Sequence, residues 1–279
     1  MARWLARTVA VILLVMVGTT MLVRFAPGYF SDAAEMDARY ADVARAELAA
    51  EAARSHSLAQ MLAAEIGGWL RGDSGVSRQF GVPVWELIQP RLAVSGALLL
   101  RGIALAWALA LCASLLSSAS RNPSLLWQAP AAILLAVPAA ALATLCLLVN
   151  SGGPVLVLAL LLAARDFKFL HRALRRAWLD PHVLHARAQG VRSRHLLRAH
   201  IVPALLPQLG ALASLSAVTA LSALVPIEVI FNVPGLGDLA WNAAINRDLP
   251  VLLTVTMIMA LAVVCAGMGS YRTVAWREA

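Results

Sequence analysis

Residues Asp180–Pro207 read DPHVLHARAQGVRSRHLLRAHIVPALLP, a polar and strongly basic run held between two long apolar stretches. Asp180-Pro181 predicts a helix start, a side-chain acceptor followed by a residue that needs no N–H in the first turn. Gly190 predicts the stop, because glycine enters the left-handed region without a Cβ penalty. Ser193 predicts the cap of a second helix, which Pro203 ends or kinks. The stretch therefore reads as helix, tight turn, helix, an element suited to docking a soluble partner.

The flanks of this stretch decide the fold class. Of 279 residues, 61% are hydrophobic and 14% charged, whereas a soluble domain is about half apolar and about a quarter charged. Six apolar runs, at 8–25, 92–116, 124–149, 154–170, 207–228 and 250–269, each approach bilayer-spanning length. They are continuous rather than alternating, so an all-α polytopic membrane protein with six transmembrane helices is expected. The run at 154–170 is the weakest, since Arg165, Asp166 and Lys168 crowd its end.

Charge orients these spans. With the N-terminus inside, the inner segments hold Arg3, Arg7, Arg121, the basic run from Arg165 to Arg198, Arg272 and Arg277, against only Asp166, Asp180 and Glu278. The long segment 26–91 is mixed in sign. This is the positive-inside pattern and predicts both termini inside. It also accounts for the net charge of +8 without nucleic acid, while Arg192, Arg194 and Arg198 suit contact with anionic lipid headgroups.

Three regions follow. Residues 1–25 form a basic tail and a first helix, read as retained because no clean cleavage site follows it. Residues 26–91 form an outer segment whose apolar positions between 32 and 70, such as Met36, Tyr40 and Trp69, fall at helical spacing. The tripeptide Arg71-Gly72-Asp73 is too short to argue adhesion. Residues 92–279 form a five-helix core. Cys112, Cys146 and Cys265 lack ligand spacing and read as small buried hydrophobes. Arg101, inside the second span, is expected to face protein or water rather than lipid, by snorkelling, as an interhelical hydrogen-bonding group or as a pore-lining charge. Pro138 predicts a kink. Histidines 171, 182, 185, 195 and 200 gather in the basic region without an accompanying carboxylate or cysteine, and read as surface rather than metal ligands.

In the fifth span, Ser216, Thr219 and Ser222 recur every third residue as a polar strip, open between packing against another helix and lining a wet path. Glu228, at the outer end, needs a partner or water, and Arg247 is a candidate. The Gly/Pro-rich segment from Phe231 to Asp238 and the segment from Asn246 to Pro250 read as an outer loop that dips into the membrane.

Three blocks carry a family resemblance. They are Gly72-Asp73-Ser74-Gly75-x-Ser77 with Pro83-Val84 and Leu87-Ile88; Ala186-Arg187-Ala188-x-Gly190 with His200 and Pro207; and Glu228-x-x-Phe231-x-x-Pro234-Gly235-x-Gly237 followed by Asn246-Arg247-Asp248-x-Pro250. In order and spacing the chain resembles an inner-membrane permease subunit of a bacterial ABC importer, of the dipeptide, oligopeptide and nickel family. The second block is similar to the family's cytoplasmic EAA loop, with Leu184-His185-Ala186 where the generic Glu-Ala-Ala stands and Pro203-Ala204 where Arg-Asn is usual.

The resemblance implies a type I importer fold in the bacterial inner membrane. It implies a second permease subunit, two cytoplasmic ATPase subunits seated on the loop through Asp180, Leu184, His185, Ala186, Arg187, Ala188 and Gly190, and a periplasmic solute-binding protein that delivers cargo. Ser216, Thr219, Ser222 and Glu228 are then expected along the path of a small solute, such as a peptide or nickel chelate. The chain has no GxxxxGK[ST] loop and Lys168 is its only lysine, so ATP and magnesium belong to the ATPases. A secondary active transporter is the competing reading. It calls for midplane carboxylates and internal repeats, neither of which is evident. A membrane-embedded enzyme would need a nucleophile–base pair or metal set, and the sequence offers none.

Overall fold

The structure, a computed structural model, describes residues 2–25, 67–68, 71, 74–119, 123–149, 152–246 and 248–275. The amphipathic helices expected between 32 and 70, the inner turn at 120–122 and Arg247 lie outside the described residues. The described residues are helical apart from short turns and one isolated antiparallel bridge between Val76 and Pro83. They form two compact units, Met1–Leu92 with Leu239–Leu261, and Ala93–Asp238 with Ala262–Ala279.

The helices are α1 (Ala2–Phe25), α2 (Val84–Ala119), α3 (Pro123–Ala136), α4 (Ala139–Leu148), α5 (Pro154–Trp178), α6 (Pro181–Ala188), α7 (Ser193–Leu196), α8 (Val202–Ile230), α9 (Leu236–Ile245) and α10 (Leu249–Ala275); a π-helical turn, Leu197–Ile201, joins α7 to α8. Three stretches, Val84–Ser117, Leu197–Ile230 and Leu249–Gly267, are long and apolar enough to cross a bilayer. Gln128–Ala136 and Ala139–Leu148 make a fourth if their two halves form one span, but they meet at 102°. Pro138 thus breaks the third apolar run rather than kinking it. Its extended backbone (φ −59°, ψ 147°) sits at the start of α4, where a missing N–H costs nothing.

Within the second unit, α5 is the central helix and packs against α3, α4 and α8. Gly102 of α2 lies against Leu158 of α5 so closely that a Cβ would overlap the leucine side chain, the small-residue approach that lets membrane helices pack backbone to backbone. One apolar cluster joins Ala110, Ala131, Ala164, Phe167, Leu170 and Leu212. Another joins Ala173, Leu174, Ala177, Val183, Ile201 and Leu205, and so holds α5, α6, the π turn and α8 together.

Outward faces are apolar too, with Leu14, Leu100, Ile133 and Leu148 exposed, as expected of a surface that meets hydrocarbon. Cys112 and Cys265 share that outer face and Cys146 is half-buried. This corrects the reading of all three as buried, because in lipid an apolar side chain has no need to point inward.

Candidate functional site

The basic stretch has the expected helix–turn–helix form, with three corrections. Asp180 stands at the N-cap of α6, but its side chain makes no cap hydrogen bond; its carbonyl accepts instead from the N–H groups of Val183 and Leu184, both at 3.0 Å. Ser193 is the first residue of α7, and the carbonyl of Arg192 accepts from His195 and Leu196. Pro203 stands in the first turn of α8 rather than at the end of the second helix: the chain widens into the π turn just before it, and Val202 donates to Leu197, five residues back. A wider turn moves the preceding carbonyls away from the proline ring that an α-turn would press against them.

Gly190 does end α6. Its φ is +80°, and the Val191 N–H reaches back to the Ala186 carbonyl at 3.2 Å, the six-to-one closure of a glycine-terminated helix. Val183 anchors α6 as its one fully buried residue. Leu184, His185, Arg187 and Ala188 are exposed and Ala186 is half-buried. His185 contacts Gln189 (3.0 Å), while the rings of His182 and His195 each approach that of His200. His171 corrects the reading of these histidines as surface: it is buried on α5, its Nδ1 2.8 Å from the Ser117 hydroxyl and its ring against Phe167.

The polar strip of α8 divides. Ser216 is fully buried and donates to Asp166 Oδ2 at 2.8 Å. Asp166 is also fully buried and pairs with Arg165, whose guanidinium donates to Asp166 Oδ1 at 3.0 Å, to Ser216 at 3.2 Å and to Thr219. Ser222 is exposed and bonds only back to its own helix, at Val218. Two of the three charges that crowd the end of 154–170, Arg165 and Asp166, thus face α8, and α5 continues unbroken to Trp178, although it is not among the described helices long and apolar enough to cross a bilayer. Arg165 and Asp166 were not singled out as partners of the strip. The available signal was an adjacent opposite-charge pair at a span end with a hydroxyl strip in the next apolar run.

Glu228 is fully buried. Its carboxylate accepts from the Ser95 hydroxyl at 2.6 Å, the Gly237 N–H at 2.6 Å and the Asp238 N–H at 3.3 Å, and Ser95 in turn accepts from the Leu236 N–H at 2.7 Å. The carboxylate therefore serves the open N-terminal N–H groups of α9. The turn between the helices closes on Asn232 at φ +50° and on the Val233 N–H bonded to the Glu228 carbonyl at 2.9 Å. A Cβ at Gly235 would overlap the carboxylate, and one at Gly237 would lie 2.7 Å from the Val225 Cα. The Gly-x-Gly spacing is what lets the backbone reach the buried acid.

A second acid closes the first unit. Asp248 is buried and accepts from the Ser77 hydroxyl at 2.5 Å and the Gln79 N–H at 3.2 Å, while Ser77 accepts from the Phe80 N–H at 3.0 Å. A Cβ added at Gly75 would lie 3.5 Å from the Pro250 side chain. The first and third sequence blocks thus meet through their own motif residues. Replacing Ser77 with Ala is expected to cost about 1.5–3 kcal/mol, the range for a hydrogen bond to a charged group, and Ser77→Thr much less. Thermal unfolding of the purified variants in detergent checks this; equal midpoints for Ala and Thr would deny the bond its role.

Comparison with known proteins places this architecture. Residues 102–276 match the family described as binding-protein-dependent transport system inner membrane component. A putative peptide permease protein of Brucella suis is 28% identical over 234 residues, 71% of this chain and 72% of that protein. The metal-staphylopine import system permease protein CntB of Staphylococcus aureus is 32% identical over 108 residues, 39% of this chain and 34% of that protein. The oligopeptide transport system permease protein OppB of Escherichia coli K12 is 36% identical over 75 residues, 26% of this chain and 24% of that protein. The chain spans only about a third of CntB and a quarter of OppB in these matches. The family match covers more than half of the chain, takes in the spans Leu197–Ile230 and Leu249–Gly267 with the loop between α5 and α8, and leads to one conclusion: this protein belongs to the binding-protein-dependent transport system inner membrane components and is a multi-pass permease subunit of the ABC-importer type.

Proposed function

We propose that this chain pairs with a second permease subunit to form the path of an ATP-driven importer, with six spans, both termini inside, and the loop 180–207 as the seat of an ATPase subunit. A periplasmic binding protein delivers the solute. Its class is a peptide or a metal chelate, in keeping with the names of the peptide, oligopeptide and metal-staphylopine permeases that the chain resembles. The supporting observation is the state of α6. It is tied down by Val183, closed by Gly190 at φ +80°, and otherwise largely open to a partner. Closure of the ATPases on ATP pushes α6, and the apolar cluster through Val183, Ile201 and Leu205 passes the push to α5 and α8. On this reading Ser222 is the strip residue left to the path, while Ser216, Thr219 and Glu228 hold its walls.

The test is Gly190→Glu. The space beyond Gly190 is open within the chain, so the variant strains the turn by about 1–2 kcal/mol through its left-handed backbone and fills the surface that a partner covers. ATPase co-purification and uptake are expected to fall to background with membrane insertion unchanged. Wild-type co-purification and uptake in this variant would sink the docking reading.

A further inference from the structure

Just past Gly190 the surface carries an open cleft of about 550 Å³ lined by Val191, Arg192, His195 and Arg198. The segment that carries it is anchored, since Leu196 and Ile201 are fully buried and the Arg192 carbonyl accepts from the N–H groups of His195 and Leu196. The three polar side chains at the rim are exposed. The loop supplies nothing to neutralise them: between Pro181 and Ile227 the sequence contains neither Asp nor Glu. Two guanidiniums six residues apart line this one cleft, and a guanidinium fork is matched by a carboxylate.

We infer that this cleft receives an acidic surface segment of the ATPase subunit, giving the ATPase a second grip beside α6. The inference rests on the reading of the loop as the ATPase seat. A protein partner is favoured over a lipid headgroup because the basic cleft is continuous in sequence with exposed apolar residues, Leu179 and Leu184. A surface that offers both apolar contact and localised charge is met by another protein surface carrying the complement of each. Contacts at α6 supply the coupling push, and the cleft sets the orientation in which the ATPase lands and how the association responds to salt.

The experiment uses the complete importer complex, affinity-purified through this chain. In Arg192→Glu/Arg198→Glu, retained ATPase is expected to fall about tenfold at low salt, as for the loss of an interfacial charge match, with Arg192→Gln/Arg198→Gln intermediate. Wild-type retention is expected to weaken with added salt while that of the double Gln variant changes less. Gly190→Glu is the companion measurement. If it releases the ATPase while both arginine pairs keep it, the cleft inference is overturned and the loop reading stands. If Gly190→Glu also keeps the ATPase, the loop reading fails and the inference with it. Reconstitution into nanodiscs with and without phosphatidylglycerol forms the other arm. A phosphatidylglycerol-dependent gain in thermal stability that vanishes in the double Gln variant, with ATPase retention unchanged, would make the cleft a lipid site and overturn the proposal. A double Glu variant that does not enter the complex for want of folding leaves the double Gln variant to decide on the same criteria.

Discussion

Asp166→Ala is expected to destabilise the protein by about 3 kcal/mol, while the double variant Arg165→Leu/Asp166→Leu recovers most of that loss. The single change leaves the Arg165 guanidinium and the Ser216 hydroxyl facing a gap between α5 and α8. Removing one partner of a buried ion pair costs about 3–5 kcal/mol, mainly through the charge left behind, whereas replacing both with apolar residues is often neutral. The low end applies because the Arg165 side chain keeps 24% exposure. Asp166→Asn, which can still accept from Ser216, should fall between. Unfolding midpoints in detergent measure all three, and a double variant as unstable as Asp166→Ala would mean that the site matters by shape rather than charge. If α5 and α8 carry the push from the loop, the rescued double variant should also transport less per ATP hydrolysed, because its helices are joined by apolar packing in place of directional bonds.

The second large effect is a compensation at the opposite end of α8. Gly235→Ala alone forces the Glu228 carboxylate from its bonds to Ser95 and Gly237, and overpacking of this kind costs about 1–3 kcal/mol. Glu228→Ala alone strands the Ser95 hydroxyl and the Gly237 N–H, at about 1–3 kcal/mol for each buried group left unmet. In the double variant the shortened side chain at 228 leaves room for the new methyl group. Adding Gly235→Ala to Glu228→Ala should therefore cost well under 1 kcal/mol, a coupling of the size seen between residues in direct contact. Full additivity in a double-mutant cycle of thermal stabilities would show that the glycine is not there to admit the acid.

Much of this was legible in the sequence because the signals were local. Apolar run lengths gave the helices, and charge asymmetry gave an expected orientation. The left-handed stop at Gly190 follows from what that one residue permits. What escaped reading was the pairing of distant residues. Ser77 and Asp248 are 171 positions apart, and each stands in its own motif block with nothing local to join the two. Arg165 and Asp166 read as the end of a span, because charges in an apolar run usually mark its exit from the membrane. Glu228 invited a cation as partner, and Arg247 was the candidate. Its described partners are a serine and two backbone N–H groups. Backbone donors leave no trace in a sequence except the glycines that let them approach.

The π turn at Leu197–Ile201 has a consequence for register. A π turn amounts to one residue inserted into an α-helix, and one residue is about 100° of rotation. The arm bearing Arg192 and His195 is therefore out of phase with α8 by roughly that angle, relative to an uninterrupted helix. Pro203 keeps the insertion in place, because an α-turn there would drive its ring into the preceding carbonyl. The direction in which the loop faces is thus set by one proline and one surplus residue, so a single-residue deletion between Arg198 and Pro203 would re-aim the loop while leaving α6, Arg192 and His195 unchanged in sequence.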